Sequence, residues 1–535
     1  MRRTIGGLAA GVVLMTGLLG SAAQGAEDPA FAAFSQQQAA MASGQATAES
    51  LTKAYLARIA ALDHQGPRLN SIIALNPHAL ADARALDAER KAGHVRGPLH
   101  GVVILLKDNI ESADDTATTA GSLALKDNVT NRDAPLVRRL TDAGAVILGK
   151  TNLSEWANYR STRSISGWSG VGGLVRNPHA LDRSACGSSA GSGAAVAAAL
   201  ASAAIGTETD GSVTCPAAMN GIVGLKPTVG LVSRTHIIPI SASQDTAGPM
   251  TRHVADAAAL LTVLAGSDPD DPATAPADAH RTDYLKALDP AALKGARIGV
   301  LRATAGRSPP TDAVFETALA ALKAAGATLV EVKAPDATAM EAAEDTVLRV
   351  EFKAGINAYL ASTSPAQVKT RTLADLIAFN AASPRELALF GQEIFEESQA
   401  GPGLDDPAYL KAKADARRLA GPEGIDRLLA EAKVEVLVAE SGGPASVVDP
   451  VNGSKWLGSA SSLPAVAGYP HLTVPMGQVS GLPVGLSFIG PAWSEARLLS
   501  LGYAFEQATR ARMTPTFRPS VSVGPTYEIA FAPGT

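Results

Sequence analysis

The sequence predicts an α/β protein, a single large domain with a mixed, mostly central β-sheet covered by helices on both faces. Continuous apolar runs of strand length, Gly101–Lys107 and Ala145–Leu148, read as strands buried on both sides. Stretches with helical spacing alternate with them, the pattern of a layered sheet-and-helix domain. Composition agrees: of 535 residues 46% are apolar and 4% aromatic, with 46 basic against 51 acidic side chains, the balance of a globular chain. A formal charge of -5 without a basic block leaves no electrostatic footprint for nucleic acid. The 50 glycines and 33 prolines are scattered rather than periodic, which excludes collagen, coiled coil and solenoid.

Met1-Arg2-Arg3 is a short positive start, Ile5–Gly20 carries no charge, and Ser21–Ala26 offers small residues for cleavage. Residues 1–25 therefore read as a secretory signal, cut near Ala23–Ala26. A membrane anchor is the competing reading, but Ile5–Ala23 is rich in Gly, Ser and Thr and barely reaches the roughly 20 apolar residues a span requires. The expected destination is periplasmic or secreted, with residues 26–535 as the folded domain and no membrane contact after signal removal.

Leu51, Tyr55, Ile59 and Leu62 recur at helical spacing until Gln65-Gly66-Pro67 ends the run. A polar helix is expected over 77–93, and Ala134–Ala143 is a helix leading through Gly144 into the second strand. Residues 151–187 are irregular and polar, long for a structureless connection and so suspect for function. Ser189–Ala204, nearly all Ala, Gly and Ser, is expected as a helix whose backbone lies close against its neighbours. Loops and short strands reach Met250, and an apolar helix runs His253–Ala265. A helix-rich peripheral section spans about 267–435, with strands at Arg297–Leu301 and Thr328–Val332 and a linker candidate at Asp268-Pro269-Asp270-Asp271-Pro272. Val434–Ala439, His471–Val474 and Val484–Ile489 return to the main sheet before a closing helix, Glu495–Arg510.

Nine histidines form no HxxxH, HExxH or Cys–His cluster, so no metal is expected. Gly221-Ile222-Val223-Gly224-Leu225-Lys226 is not a phosphate loop, because Leu precedes the lysine, and no GxGxxG follows a strand; no cofactor is expected. The two cysteines, Cys186 and Cys215, flank the serine-rich segment. An oxidising compartment permits their pairing, but spacing leaves it open; two free, buried thiols are the expectation.

Gly187-Ser188-Ser189-Ala190-Gly191 fits GxSxG, which would make Ser189 the nucleophile of a strand–turn–helix elbow. Asp182-Arg183-Ser184-Ala185-Cys186 is a poor buried strand for that, and a glycine–serine turn opening the Ala-rich helix is the plainer reading. A third reading links Ser188 with Ser212, 24 residues on, in Gly206-Thr207-Glu208-Thr209-Asp210-Gly211-Ser212, a loop suited to an anion-binding nest of backbone N–H groups. Lys107 ends a buried strand. It either snorkels to solvent or is held neutral as a base, which at pH 7 needs about 4 kcal/mol of differential burial.

These blocks, with Gly149-Lys150-Thr151-Asn152-Leu153-Ser154-Glu155-Trp156, Asp245-Thr246-Ala247-Gly248-Pro249 and Gly481-Leu482-Pro483-Val484-Gly485, resemble the amidase signature family over nearly all of 26–535. Ser154–Asn158, Ser164–Trp168 and Glu208–Ser212 are most similar to exported bacterial members that remove the C-terminal amide of peptides. The resemblance implies a Ser–Ser–Lys triad: Ser212 as nucleophile, Ser188 as relay behind a cis Gly187–Ser188 peptide, and Lys107 as base. It further implies an oxyanion hole from the N–H groups of Thr209, Asp210, Gly211 and Ser212, and release of ammonia through an acyl-enzyme. Asn158 is the candidate contact for a small peptide-amide substrate; a monomer is expected. The chain departs from the family where Asp210 replaces a glycine and Thr214 an arginine. The Asp210 carboxylate is expected to turn away from the oxyanion, and the missing arginine leaves the support of the nucleophile loop open. Two alternatives are a broad-specificity aliphatic or aryl amidase with esterase side activity, and a non-catalytic binding protein on the same fold. A subunit of a tRNA-dependent amidotransferase fits less well, given the signal and the lack of a basic face.

Overall fold

The computed structural model describes residues 29–304, 306–452, 455 and 457–521; the signal expected at 1–25 lies outside them. Thirteen strands occur among these residues: β1 Ile72–Leu75, β2 Val103–Lys107, β3 Val146–Thr151, β4 Trp168–Ser169, β5 Gly173–Leu174, β6 Ala203–Glu208, β7 Val223–Lys226, β8 Thr246–Thr251, β9 Arg297–Leu301, β10 Thr328–Val332, β11 Val436–Glu440, β12 His471–Val479 and β13 Leu482–Ile489. Eleven of them form one sheet in the order β1-β3-β2-β6-β8-β7-β12-β13-β11-β9-β10, while β4 and β5 make a separate hairpin. β2 runs parallel to β3 and β6, and β9 parallel to β10 and β11, with antiparallel pairs between and at the β1 edge. The sheet is therefore mixed, as expected.

Strand β2 shows why a continuous apolar run was needed. Side chains alternate across a strand. Ile104 and Leu106 enter the core beneath the helices Pro135–Asp142, Val254–Leu264 and Glu495–Thr509. Val103 and Leu105 enter the opposite core, with Leu51, Tyr55 and Ile59 of the helix Ala48–Leu62 and Ala195–Ala197 of the helix Ala190–Ala197. The same alternation puts Lys107 on the face covered by Ala190–Ala197.

That small-residue helix is wholly buried and packs as its composition demands: a Cβ on Gly191 would meet the Asn152 carbonyl oxygen at 2.3 Å and that of Ser71 at 2.4 Å. It ends at Ala197 rather than Ala204. Ala203–Glu208 is instead the strand β6, inserted between β2 and β8, so sheet pairing overrides the helical preference of alanine. The linker expected at Asp268–Pro272 is tied down: Asp268 accepts the Thr235 hydroxyl at 2.6 Å, and Asp271 pairs with Arg234 at 2.6 Å. Among the described residues no helix is long and apolar enough to cross a membrane.

Candidate active site

Lys107 is fully buried at the C-terminal end of β2. Its Nζ donates to Thr207 Oγ1 at 2.8 Å and to the Thr207 carbonyl at 3.1 Å, and lies within hydrogen-bond distance of Ser188 Oγ, 2.7 Å away. Thr207 reaches the amine because β6 runs parallel beside β2. Burial lowers the Lys107 pKa to about 7, against the opposing pull of the Asp245 and Glu208 carboxylates. Snorkelling is excluded.

Ser188 follows a cis Gly187–Ser188 peptide and is fully buried. Its carbonyl accepts the Ser154 N–H at 3.0 Å. Ser212 is 8% exposed and sits in the turn between β6 and the helix Thr214–Asn220, where Gly211 takes φ +76°, a conformation natural to glycine. The Ser212 carbonyl accepts the Ser189 N–H at 3.1 Å. Lys107 and Ser188 are thus bonded directly, whereas Ser212 joins them through backbone and no bond links the two hydroxyls.

Ser189, the centre of GxSxG, has a structural role. It is fully buried; its hydroxyl donates to the Thr207 carbonyl at 3.1 Å and accepts the Thr207 N–H at 3.2 Å. The plainer turn reading of this motif holds.

Ser212 opens onto a cavity of about 680 Å³ whose wall includes Asn158, Gly187, Thr209–Gly211, Leu301, Met340 and Leu463. The N–H groups of Thr209–Ser212 donate to no protein group among the described residues, which leaves them available to a ligand oxygen. Asp210 faces the Ser461 and Ser462 hydroxyls, and burial raises its pKa against their influence and that of Lys226. Its carboxyl is thus directed at those hydroxyls, as the expected turn away from the oxyanion requires, and burial works against its charge.

In place of the absent arginine at 214, a carboxylate supports this turn. Glu208 Oε2 accepts the N–H groups of Val213 and Thr214 at 2.7 and 2.9 Å, capping the helix that follows Ser212. Burial raises the Glu208 pKa, opposed first by Lys226. Lys226, itself buried and lowered to about 8, lies in the field of Glu208, Glu495 and Asp210.

Asn158 closes a left-handed turn with Trp156 and Ala157, at φ +70°, +47° and +54°. Such residues cost about 1–2 kcal/mol each unless held by their surroundings. Trp156 packs edge-on against Phe395, and Arg160 is buried beside Glu155 and donates to the Glu386 carbonyl. The helical section thus anchors this loop. Asn158 Nδ2 donates to Ser166 Oγ at 3.0 Å, while its buried Oδ1 has no partner.

Cys186 and Cys215 are joined in a disulfide, with Cα atoms 6.0 Å apart; the expectation of two free thiols is corrected. The loop before Ser188 and the start of the helix Thr214–Asn220 bring the residues together across a separation of 29, which spacing alone could not reveal. Thr207, Glu208, Lys226 and Asp245 were also not singled out as site residues. All lie in the sequence blocks noted above, but their roles arise from the pairing of β6 with β2 and β8 and of β7 with β8 and β12.

A buried amine bonded to a serine, beside a second serine and a row of free amides, suits acyl transfer, and the comparisons agree. The class is that of an amide-bond hydrolase. A family model described as Amidase matches residues 50–499. A probable amidase of Arabidopsis thaliana is 38% identical over 487 residues, 88% of each chain. The native peptide amidase from Stenotrophomonas maltophilia superposes with a TM-score of 0.86 at 55% identity, covering 91% of this chain and 98% of that one. A peptide amidase solved with the competitive inhibitor chymostatin gives 0.87 at 56% identity, covering 90% and 99%. The chain belongs to the amidase family, and it is an amidase.

Proposed function

We propose that the protein is an exported serine amidase that removes the C-terminal amide of peptides, releasing ammonia through an acyl-enzyme on Ser212. The observation that carries this reading is the Lys107–Ser188 pair. A neutral amine has two N–H donors and one lone pair. Thr207 O and Oγ1 accept the two donors, so the lone pair is left for the Ser188 hydroxyl, 2.7 Å away. Ser188 then gives its proton to Lys107 and takes one from Ser212 as the Ser212 oxygen attacks the amide carbon. The oxyanion is received by the free amides of Thr209–Ser212. The proton returned from Lys107 through Ser188 converts the leaving nitrogen to ammonia, and water, deprotonated by the same route, hydrolyses the ester to free acid and Ser212.

A peptide substrate is supported by the likeness to solved peptide amidases and by Asn158, which belongs to the cavity wall and whose amide group suits a peptide backbone. Export is supported by the character of residues 1–25 and by the Cys186–Cys215 bond, which oxidising compartments favour. The test is ammonia release from an amidated dipeptide, beside a simple aliphatic and an aromatic amide, by the wild type and by Ser212→Ala. Preference for the dipeptide, abolished in the variant, is expected. Equal turnover of all three amides favours the broad-specificity reading, and an active Ser212→Ala refutes the mechanism.

A further inference from the structure

The two serine-bearing segments are held by different side chains. Ser188 is held by Lys107 Nζ and by the Ser154 N–H on its carbonyl. The Ser212 turn is held by Glu208 through the amides of Val213 and Thr214. Between them, near the serines, run one backbone hydrogen bond, Ser189 N–H to Ser212 carbonyl, and the two bonds of the Ser189 hydroxyl with the Thr207 backbone. Other ties lie at the far end of the helix Thr214–Asn220, where Asn220 Nδ2 reaches the Ala185 carbonyl at 2.9 Å and Asn177 Nδ2 bridges the carbonyls of Ser184 and Met219.

The disulfide joins the residue two before Ser188 to the residue three after Ser212. Cys186 has φ +55°, a left-handed conformation that costs a non-glycine residue about 1–2 kcal/mol. With the bond open, that turn can relax and carry Gly187 and Ser188 with it. Both cysteines line the same cavity as Ser212 and retain 5% and 6% exposure, so a small dithiol entering with the substrate's solvent meets the bond from the cavity side.

We propose that Cys186 and Cys215 are positioning residues, their bond setting the spacing between the relay serine and the nucleophile, so that opening it lowers turnover rather than substrate binding. This rests on the Ser212–Ser188–Lys107 reading above. Opening is a two-electron reduction: a dithiol gives two electrons and two protons to the bond, yielding two cysteine thiols and the cyclic disulfide of the reductant.

The experiment compares the wild type with Cys186→Ala, Cys215→Ala and the double variant, well below their melting temperatures, by ammonia release from an amidated dipeptide. Displacing a reacting group by about 1 Å can cost on the order of 100-fold, so kcat is expected to fall about 10- to 100-fold with KM within about threefold. Each single variant should match the double, because either removes the same bond. Folded wild type treated with dithiothreitol should lose turnover in step with the appearance of two labelled thiols and regain it on reoxidation, a result independent of any folding defect in the variants. Variants, or a fully reduced wild type, with kcat within about twofold of the oxidised enzyme and only a lowered melting temperature would overturn the proposal. Ser212→Ala separates the two failures: if it is inactive while the bond proves dispensable, the mechanism stands and only this inference falls.

Discussion

Turnover by a neutral Lys107 must follow the titration of that amine, and the structure sets where. Burial at the end of β2 brings its pKa from 10.5 to about 7. The base form predominates above that value: about nine molecules in ten carry it at pH 8, about one in eleven at pH 6 and about one in a hundred at pH 5. kcat/KM is therefore expected to rise about tenfold per pH unit up to pH 6, bend near 7 and level above 8. Asp245 is the first carboxylate opposing the shift, and it accepts the Thr209 hydroxyl and the N–H groups of Ile240 and Ser241. Asp245→Asn keeps the shape while removing charge, so the acid limb should move to lower pH. The assay is ammonia release in overlapping buffers of constant ionic strength. A rate still climbing tenfold per unit at pH 10, as an unburied lysine requires, or flat from pH 5 to 9, refutes the reasoning.

Lys107→Met should abolish turnover yet stabilise the fold by about 0.5–2 kcal/mol at pH 7, since a buried amine is replaced by an apolar chain. The sign with pH follows from linkage: between the folded value near 7 and the unfolded 10.5 the unfolded chain binds more protons, so wild-type stability rises with pH there. The advantage of Met should shrink across that window in thermal melts. Glu208→Ala leaves two amides unpaired and Lys226 without its first partner; a loss of about 3–5 kcal/mol by denaturant titration is expected, with Glu208→Gln less damaged. Ser189→Ala should keep kcat within about threefold while costing about 1–3 kcal/mol for the Thr207 N–H that loses its acceptor; abolished turnover in a folded variant would revive the elbow. Asn158→Ala should raise KM for an amidated dipeptide by about tenfold and leave that for a simple amide unchanged.

The residues of β2, β9 and β13 announced themselves, because a strand covered on both faces must be apolar at consecutive positions and few other segments are. The amidase blocks were equally legible, since Lys107, Ser188 and Ser212 each stand in a local run of residues whose chemistry is tied to position in the chain. Other features depended on partners distant in sequence. Ala203–Glu208 became a strand because β2 and β8 offered it hydrogen bonds on both edges, and a run of alanines carries no trace of such neighbours. Cys186 and Cys215 paired because a turn and a helix start meet within 6.0 Å. The lowered Lys107 pKa has the same origin: lysine is basic wherever it stands in a chain, and only the loss of water around it, imposed by the helix Ala190–Ala197 and strand β6, favours the uncharged amine.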